Sequence, residues 1–305
     1  SLRSRSRNPQ TKKSSPLKRS KATHLSKRPT KVRDTVNPST MRMSKSKIGA
    51  WEWCQYSWAL MNINNVRGSM HFATTTGIDA HQLVEDYYKG MMELTSDEAI
   101  VNYCEEYVPE TIPNDNDDAV DHLYAVVNLD IQRMSSLQEG GHSLMEYGKP
   151  VGIECYLKLL DDGTVQKGEF SGMLDLAFKE LDGGIGVYDL KTGRVKGIGN
   201  HRFELMIYKW LWEEANPESP KVTKVGIIWS KNGTVEFEEP TNRSYTSALK
   251  KVQRVRDQIA EAHRNATPEN PLAGFKKALR NPVPCNWCAP EHKKICWKEA
   301  YDIDI

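Results

Sequence analysis

Apolar and polar positions change period partway along the chain. From Ser44 to Asn62, Ile48, Trp51, Trp53, Trp58 and Leu60 form a helix-compatible pattern. From Ile78 to Met92, Leu83, Val84, Tyr87, Tyr88 and Met91 recur at three- and four-residue steps, which predicts a second helix. Two more are expected, from Ser96 to Tyr107 and from Asp117 to about Leu137, with Asp117 placed to cap the latter. The pattern then turns to strands: Val151–Leu160, Glu169–Glu180 and Ile185–Leu190, with turn signals at Asp161-Asp162-Gly163 and Leu181-Asp182-Gly183-Gly184. A strongly apolar helix from Arg202 to Glu214 ends at Asn216-Pro217. A hairpin of Val222–Trp229 and Thr234–Glu238 follows, turning at Lys231-Asn232-Gly233. A long helix from Tyr245 to Arg264 leads into a loop-rich, cysteine-bearing end. Helices, three strands, helix, hairpin and helix in this order predict an α/β body around a mixed central sheet.

Composition adds a division that the periodicity does not show. Residues 1–47 hold fifteen Lys/Arg and a single acid, Asp34, whereas 39 of the 40 acids and only 27 of the 42 basic residues lie beyond them. Residues 1–42 carry no aromatic side chain and are rich in Ser, Lys, Arg, Pro and Thr. Such a segment buries too little apolar area to offset its ordering entropy, so a disordered basic tail is expected. Steering toward nucleic-acid phosphates and an organelle transit peptide are both open readings of it. Residues 43–298 are expected to form the folded domain, with a helical insertion at about 93–140, and residues 299–305 a carboxyl-terminal tail. No apolar run reaches the roughly 20 residues of a membrane span. With no secretory signal read at the amino terminus, a reducing, intracellular setting is expected for the six cysteines, where clustered thiols bind metal more often than they pair.

The candidate chemistry starts at Asp189-Leu190-Lys191, near the end of the third strand. Alternation puts Asp189 and Lys191 on one face. A carboxylate suits Mg²⁺ or Mn²⁺, and a neighbouring ammonium can stabilise charge on a phosphate oxygen. As a tripeptide it is equally compatible with a surface ion pair. Asp175, fourteen residues upstream among the apolar Met173, Leu174, Leu176, Ala177 and Phe178, changes that balance. A tight turn at Gly183-Gly184 places the two acids across a strand pair, where burial without a cation is costly.

A Gly-x-x-Asp strand followed by Asp-x-Lys resembles the core of the PD-(D/E)XK nuclease superfamily. More narrowly, the chain resembles its RecB-like branch, including the iron–sulfur exonucleases of CRISPR adaptation systems and their phage relatives. Ser44-Lys45-Ser46 followed by Cys54 is similar to the branch's opening. Gly77-Ile78-Asp79-Ala80-His81 matches its Gly-x-x-x-His motif. Glu204-Leu205-Met206-Ile207-Tyr208 stands where the branch has Gln-x-x-x-Tyr, with Glu in place of Gln. Cys285-Asn286-Trp287-Cys288 and then Cys296 match its carboxyl-terminal cysteines, at a longer final spacing.

The resemblance implies a restriction-endonuclease-like core and hydrolysis of DNA phosphodiesters, as an exonuclease before an endonuclease. It implies Mg²⁺ or Mn²⁺ held by His81, Asp175, Asp189 and the Leu190 carbonyl, with Lys191, Tyr208 and Glu204 completing the catalytic wall. Glu85, one turn after His81, is a candidate for orienting it. Cys54, Cys285, Cys288 and Cys296 would hold a 4Fe–4S cluster packed by Pro284, Trp287 and Trp297, with structural Zn²⁺ the alternative. Cys104 and Cys155 read as inert core residues. Arg194, Lys196 and Arg202, after the catalytic strand, are candidate DNA contacts. The implied partners are single-stranded DNA or DNA ends and a helicase or recombination protein, in a bacterial or phage-infected cell. A DNA- or partner-binding protein without catalysis on the same fold is the competing reading.

Overall fold

The computed structural model describes residues 41–68, 72–159, 169–267, 269–278 and 282–302; the expected basic tail, up to residue 40, and the Asp161-Asp162-Gly163 turn lie outside them. Met41 and Arg42 lead into α1 (Lys45–Trp53), and α2 (Gln55–Asn62) follows at once. The sequence pattern reads this stretch as one helix. It divides because Cys54 is extended, at φ −160° and ψ 111°, closing α1 through its N–H to Ala50 while starting α2. The break sets the two indole-bearing faces at an angle, so Trp51 and Trp58 meet edge to face at 5.3 Å with Phe275 beside both.

The helical part comprises α3 (Phe72–Met92), α4 (Asp97–Glu106), a 3-10 turn at Pro113–Asp115, α5 (Asp117–Glu139) and the short α6 (Leu144–Tyr147). Ser96 caps α4 by accepting from the Ala99 N–H. Asn116, not Asp117, caps α5: its side chain accepts from Ala119, leaving Asp117 in the first turn, where a carboxylate suits the positive end of the helix dipole. Asn116 also donates to the buried Asp79 on α3 at 2.8 Å, and Asn114 donates to the same carboxylate at 2.9 Å. The turn is thereby fastened two residues before His81 on the same helix.

Five strands form one sheet in the order β1 (Pro150–Leu159), β2 (Phe170–Lys179), β3 (Ile185–Lys191), β4 (Val222–Trp229) and β5 (Thr234–Glu238). All neighbours are antiparallel except β3 and β4, which run parallel because α7 (Arg202–Ala215) carries the chain across between them. The tight turns rest on Gly183 (φ 83°) and Gly233 (φ 60°), conformations that a Cβ penalises. The sheet is mixed, as expected. One face packs on α1, α2, α7 and α8 (Asn242–Arg264) through Leu174, Ala177, Val187, Val225, Ile227 and Trp229. The other packs on α3, α4 and α5 through Leu176, Phe178, Leu190 and Ile228. The carboxyl-terminal segment, expected as loop, folds into α9 (Pro282–Asn286) and α10 (Pro290–Tyr301), which continues past residue 298. Among the described residues no helix is long and apolar enough to cross a membrane.

Candidate active site

The hairpin β2–β3 decides where the two acids stand. Pairing runs from Lys179↔Ile185 to Leu176↔Tyr188 and stops there, so Asp175 and Asp189 lie just beyond the last bridged pair. With the ladder open, the Asp175 carboxylate accepts the Leu190 N–H at 2.7 Å. Asp175 and Asp189 are 7% and 2% exposed, so both carboxylates are withdrawn from water. Alternation puts Leu190 into the opposite apolar cluster and leaves Asp189 and Lys191 together, with the ammonium 2.6 Å from Asp189 Oδ2. A carboxylate so paired still has lone pairs left that a cation could take.

α3 crosses over these strand ends and lowers His81 into them. Its Nδ1 is 3.1 Å from Glu154 Oε1 and 3.7 Å from Asp175 Oδ1, and its Nε2 is 3.2 Å from the Leu190 carbonyl oxygen. One ligand atom each from His81, Glu154 and Asp175 lie within 4.8 Å of one another. Glu154 is not among the residues expected from sequence. It sits on β1 opposite Asp175, where pairing skips from Ile153↔Leu176 to Cys155↔Leu174, and its φ is +41°. This left-handed kink, costing about 1–3 kcal/mol in a residue with a Cβ, turns the carboxylate toward His81. A visible signal existed: an uncompensated acid within the otherwise apolar Val151-Gly152-Ile153-Glu154-Cys155-Tyr156. Glu85, expected to orient His81, instead pairs with Lys89 at 2.6 Å.

The electrostatics follow from this crowding. Burial and the neighbouring Asp189 push the Asp175 carboxyl up to about 7. Burial also raises Asp189, with Glu204 adding to the shift and Lys191 opposing it. For His81 burial works against the charged form, but the Glu154 hydrogen bond and the Asp175 charge outweigh it and push the imidazole up to about 9. Two carboxylates and an imidazole in one small group, with the Leu190 carbonyl against the imidazole and the Asp189 charge nearby, fit a hard divalent cation.

Glu204, 4% exposed on α7, forms the other wall. Its Oε1 pairs with Lys45 and lies 3.2 Å from Lys191 Nζ, while Oε2 is 3.3 Å from His201 Nδ1. Tyr208, one turn on, donates to Oε1 at 3.5 Å, and burial together with Asp189 raises its phenol strongly. Burial would raise Glu204 as well, yet Lys191 and Lys45 hold it below its ordinary value. Behind β3, Ser230 donates both N–H and hydroxyl to the Lys191 carbonyl, at 3.1 and 3.2 Å, fixing the strand end. Arg194 and Lys196 are exposed on the loop after β3, whereas Arg202 is held bidentately by Glu238 at 2.6 Å.

Cys54, at the α1–α2 break, lines one small cavity with Cys285, Cys288 and Cys296. All four are half-buried free thiols. Burial raises Cys288 and pushes Cys296 up to about 11. Pro284 and Trp297 line the same cavity, but Trp287 is 76% exposed and points away, contrary to expectation. His292, 1% exposed, sits beside them between Ser57 at 2.8 Å and the Val66 carbonyl at 2.7 Å. Cys104 is buried and accepts from the Tyr87 hydroxyl at 3.1 Å, and Cys155 lies outside the cavity, as core residues would.

Fold and site together define a restriction-endonuclease-like α/β protein. The model of the PD-(D/E)XK nuclease superfamily matches residues 42–296, and the chain belongs to that superfamily. Among solved structures it is similar to a protein of Eubacterium rectale named "Putative exonuclease", with 12% identity, a TM-score of 0.40, and coverage of 73% of this chain and 83% of that one. No curated protein sequence matches the chain.

Proposed function

We propose that the protein is a Mg²⁺- or Mn²⁺-dependent deoxyribonuclease working as an exonuclease on DNA strands or ends. The observation that carries this reading is the gathering of His81, Asp175, Asp189 and the Leu190 carbonyl, with Lys191 beside them, where the pairing of β2 with β3 ends. His81, Asp175, Asp189 and the Leu190 carbonyl would hold the metal, with Glu154 a ligand or the group that orients His81. Such an ion lowers the pKa of a coordinated water and neutralises charge building on the scissile phosphate. Lys191 orients the attacking water or donates to a phosphate oxygen. Glu204 and Tyr208 fix where that ammonium stands, and Arg194 and Lys196 meet the DNA backbone past the strand end. Arg202 joins them only after release from Glu238. Within this reading the enzyme serves DNA recombination, repair or processing, and unwinding comes from a helicase partner.

The second part of the proposal assigns a 4Fe–4S cluster to Cys54, Cys285, Cys288 and Cys296. Its support is the meeting of four thiols from both ends of the folded region at one cavity. Four thiolates also suit Zn²⁺, so metal content and absorbance near ~400 nm decide the occupant. The nuclease reading is tested by incubating end-labelled single- and double-stranded DNA with Mg²⁺, Mn²⁺ or EDTA. Cation-dependent shortening from an end is expected. Binding without cleavage under every cation would favour the non-catalytic reading instead.

A further inference from the structure

We propose that Lys45 is a second substrate-contacting cation of this pocket, donating to a phosphate of the bound strand beside Lys191. The inference rests on the nuclease reading for its substrate, and on the placement of α1 for its geometry.

That placement is fixed from both sides. Met43, fully buried, bridges to the start of β2, its N–H donating to the Glu169 carbonyl and its carbonyl accepting from Ser171, each at 2.9 Å. Ser44 then caps α1 by accepting from the Lys47 N–H at 3.2 Å. Lys45 is therefore the first residue of a helix whose origin is stitched to the catalytic sheet. Its ammonium reaches Glu204 Oε1, the same oxygen that Lys191 approaches to 3.2 Å.

Depth separates the three groups. The Glu204 side chain is 5% exposed, Lys191 25% and Lys45 35%, so Lys45 stands at the mouth with Glu204 beneath it. An ammonium has three donors and no acceptor. Glu204 uses one donor of Lys45, which leaves two for a phosphate. Two ammoniums gathered on one carboxylate oxygen match the two non-bridging oxygens of a phosphodiester. The Glu at position 204 thus assembles a two-cation clamp that a neutral Gln would not.

The test measures binding of a fluorescent single-stranded oligonucleotide in Ca²⁺ over a KCl series, with cleavage in Mg²⁺ and Mn²⁺ followed in parallel. Lys45→Gln should weaken binding roughly tenfold and lower the slope of log affinity against log salt by about one, independent of sequence. Lys45→Arg should keep the slope and shows that the pocket still folds. Because Lys45 could serve only to neutralise buried Glu204, the pair is repeated in a Glu204→Gln background. There Lys45→Gln should still lower the slope. An unchanged slope in either background, or no binding by the wild type, would overturn the proposal. A wild type that binds with the expected slopes but never cuts would overturn the nuclease reading alone.

Discussion

The chain gathers candidate ligand side chains in two places and balances them oppositely. The carboxylate pocket is built on three adjacent strands and one crossing helix, and it carries its own counter-charges in Lys191, Lys45 and His81. The thiol pocket joins residues more than 230 positions apart, and burial raises Cys288 and Cys296, so that these thiols stay neutral. The first stands just past the ladders that join β1, β2 and β3, which hold those strands whatever occupies it. The second closes a long loop, and ligation there would contribute directly to folding.

The sharpest way to break this contrast is to remove a charge from the first pocket. Asp189→Ala should lower cleavage by on the order of 10²–10³ or more with DNA binding and the melting midpoint nearly unchanged, whereas Lys191→Ala should lower cleavage as far and weaken binding as well. Loss of the folded circular dichroism signal in either variant would make the pocket structural instead. In the second pocket the ranking should invert. Cys288→Ser should release bound iron or zinc, measured by metal analysis, and lower the melting midpoint by on the order of 10 °C. An unaltered midpoint with the metal gone would show that the thiol pocket does not hold the fold together.

A smaller effect separates the pockets by pH. Asp175 stands at about 7 against an ordinary 3.8, and His81 at about 9 against 6.5, so the folded protein binds protons more tightly than the unfolded chain at both. The Asp175 contribution is complete below its ordinary value and is lost as pH rises through about 7. That of His81 is lost from 6.5 through about 9. In EDTA the melting midpoint should therefore fall from mildly acidic to alkaline pH. Mn²⁺, which binds the deprotonated ligands, should restore it most at the alkaline end. A midpoint that rises over this range in EDTA would contradict the assigned geometry.

Periodicity was enough for the five strands, the crossover helix and the meeting of Asp175 with Asp189, because alternation and turn chemistry are local. Three features were not legible for the opposite reason. Cys54 leaves the helical region although Trp53 before it and Gln55 after it are both helical, and the break lets Trp51 and Trp58 pack together on Phe275. Asn116 displaced Asp117 as the cap because it also reaches Asp79 on another helix. Lys45 and Glu154 join the site through contacts more than seventy residues distant in sequence, which no window along the chain encloses. The His81 motif escaped this limit only because its meaning came through resemblance.

Glu154 has a consequence for how this protein would change under selection. Its left-handed backbone is a conformation glycine adopts freely, and the carboxylate adds a third acid to a crowded site. Screening variants for heat resistance alone should enrich Glu154→Gly, by up to about 1 kcal/mol. Screening for DNA cleavage should retain the acid, and the glycine variant should need about tenfold more Mn²⁺ for half-maximal rate. At this one position endurance and activity would pull the chain toward different residues, and the wild-type choice records which of them prevailed.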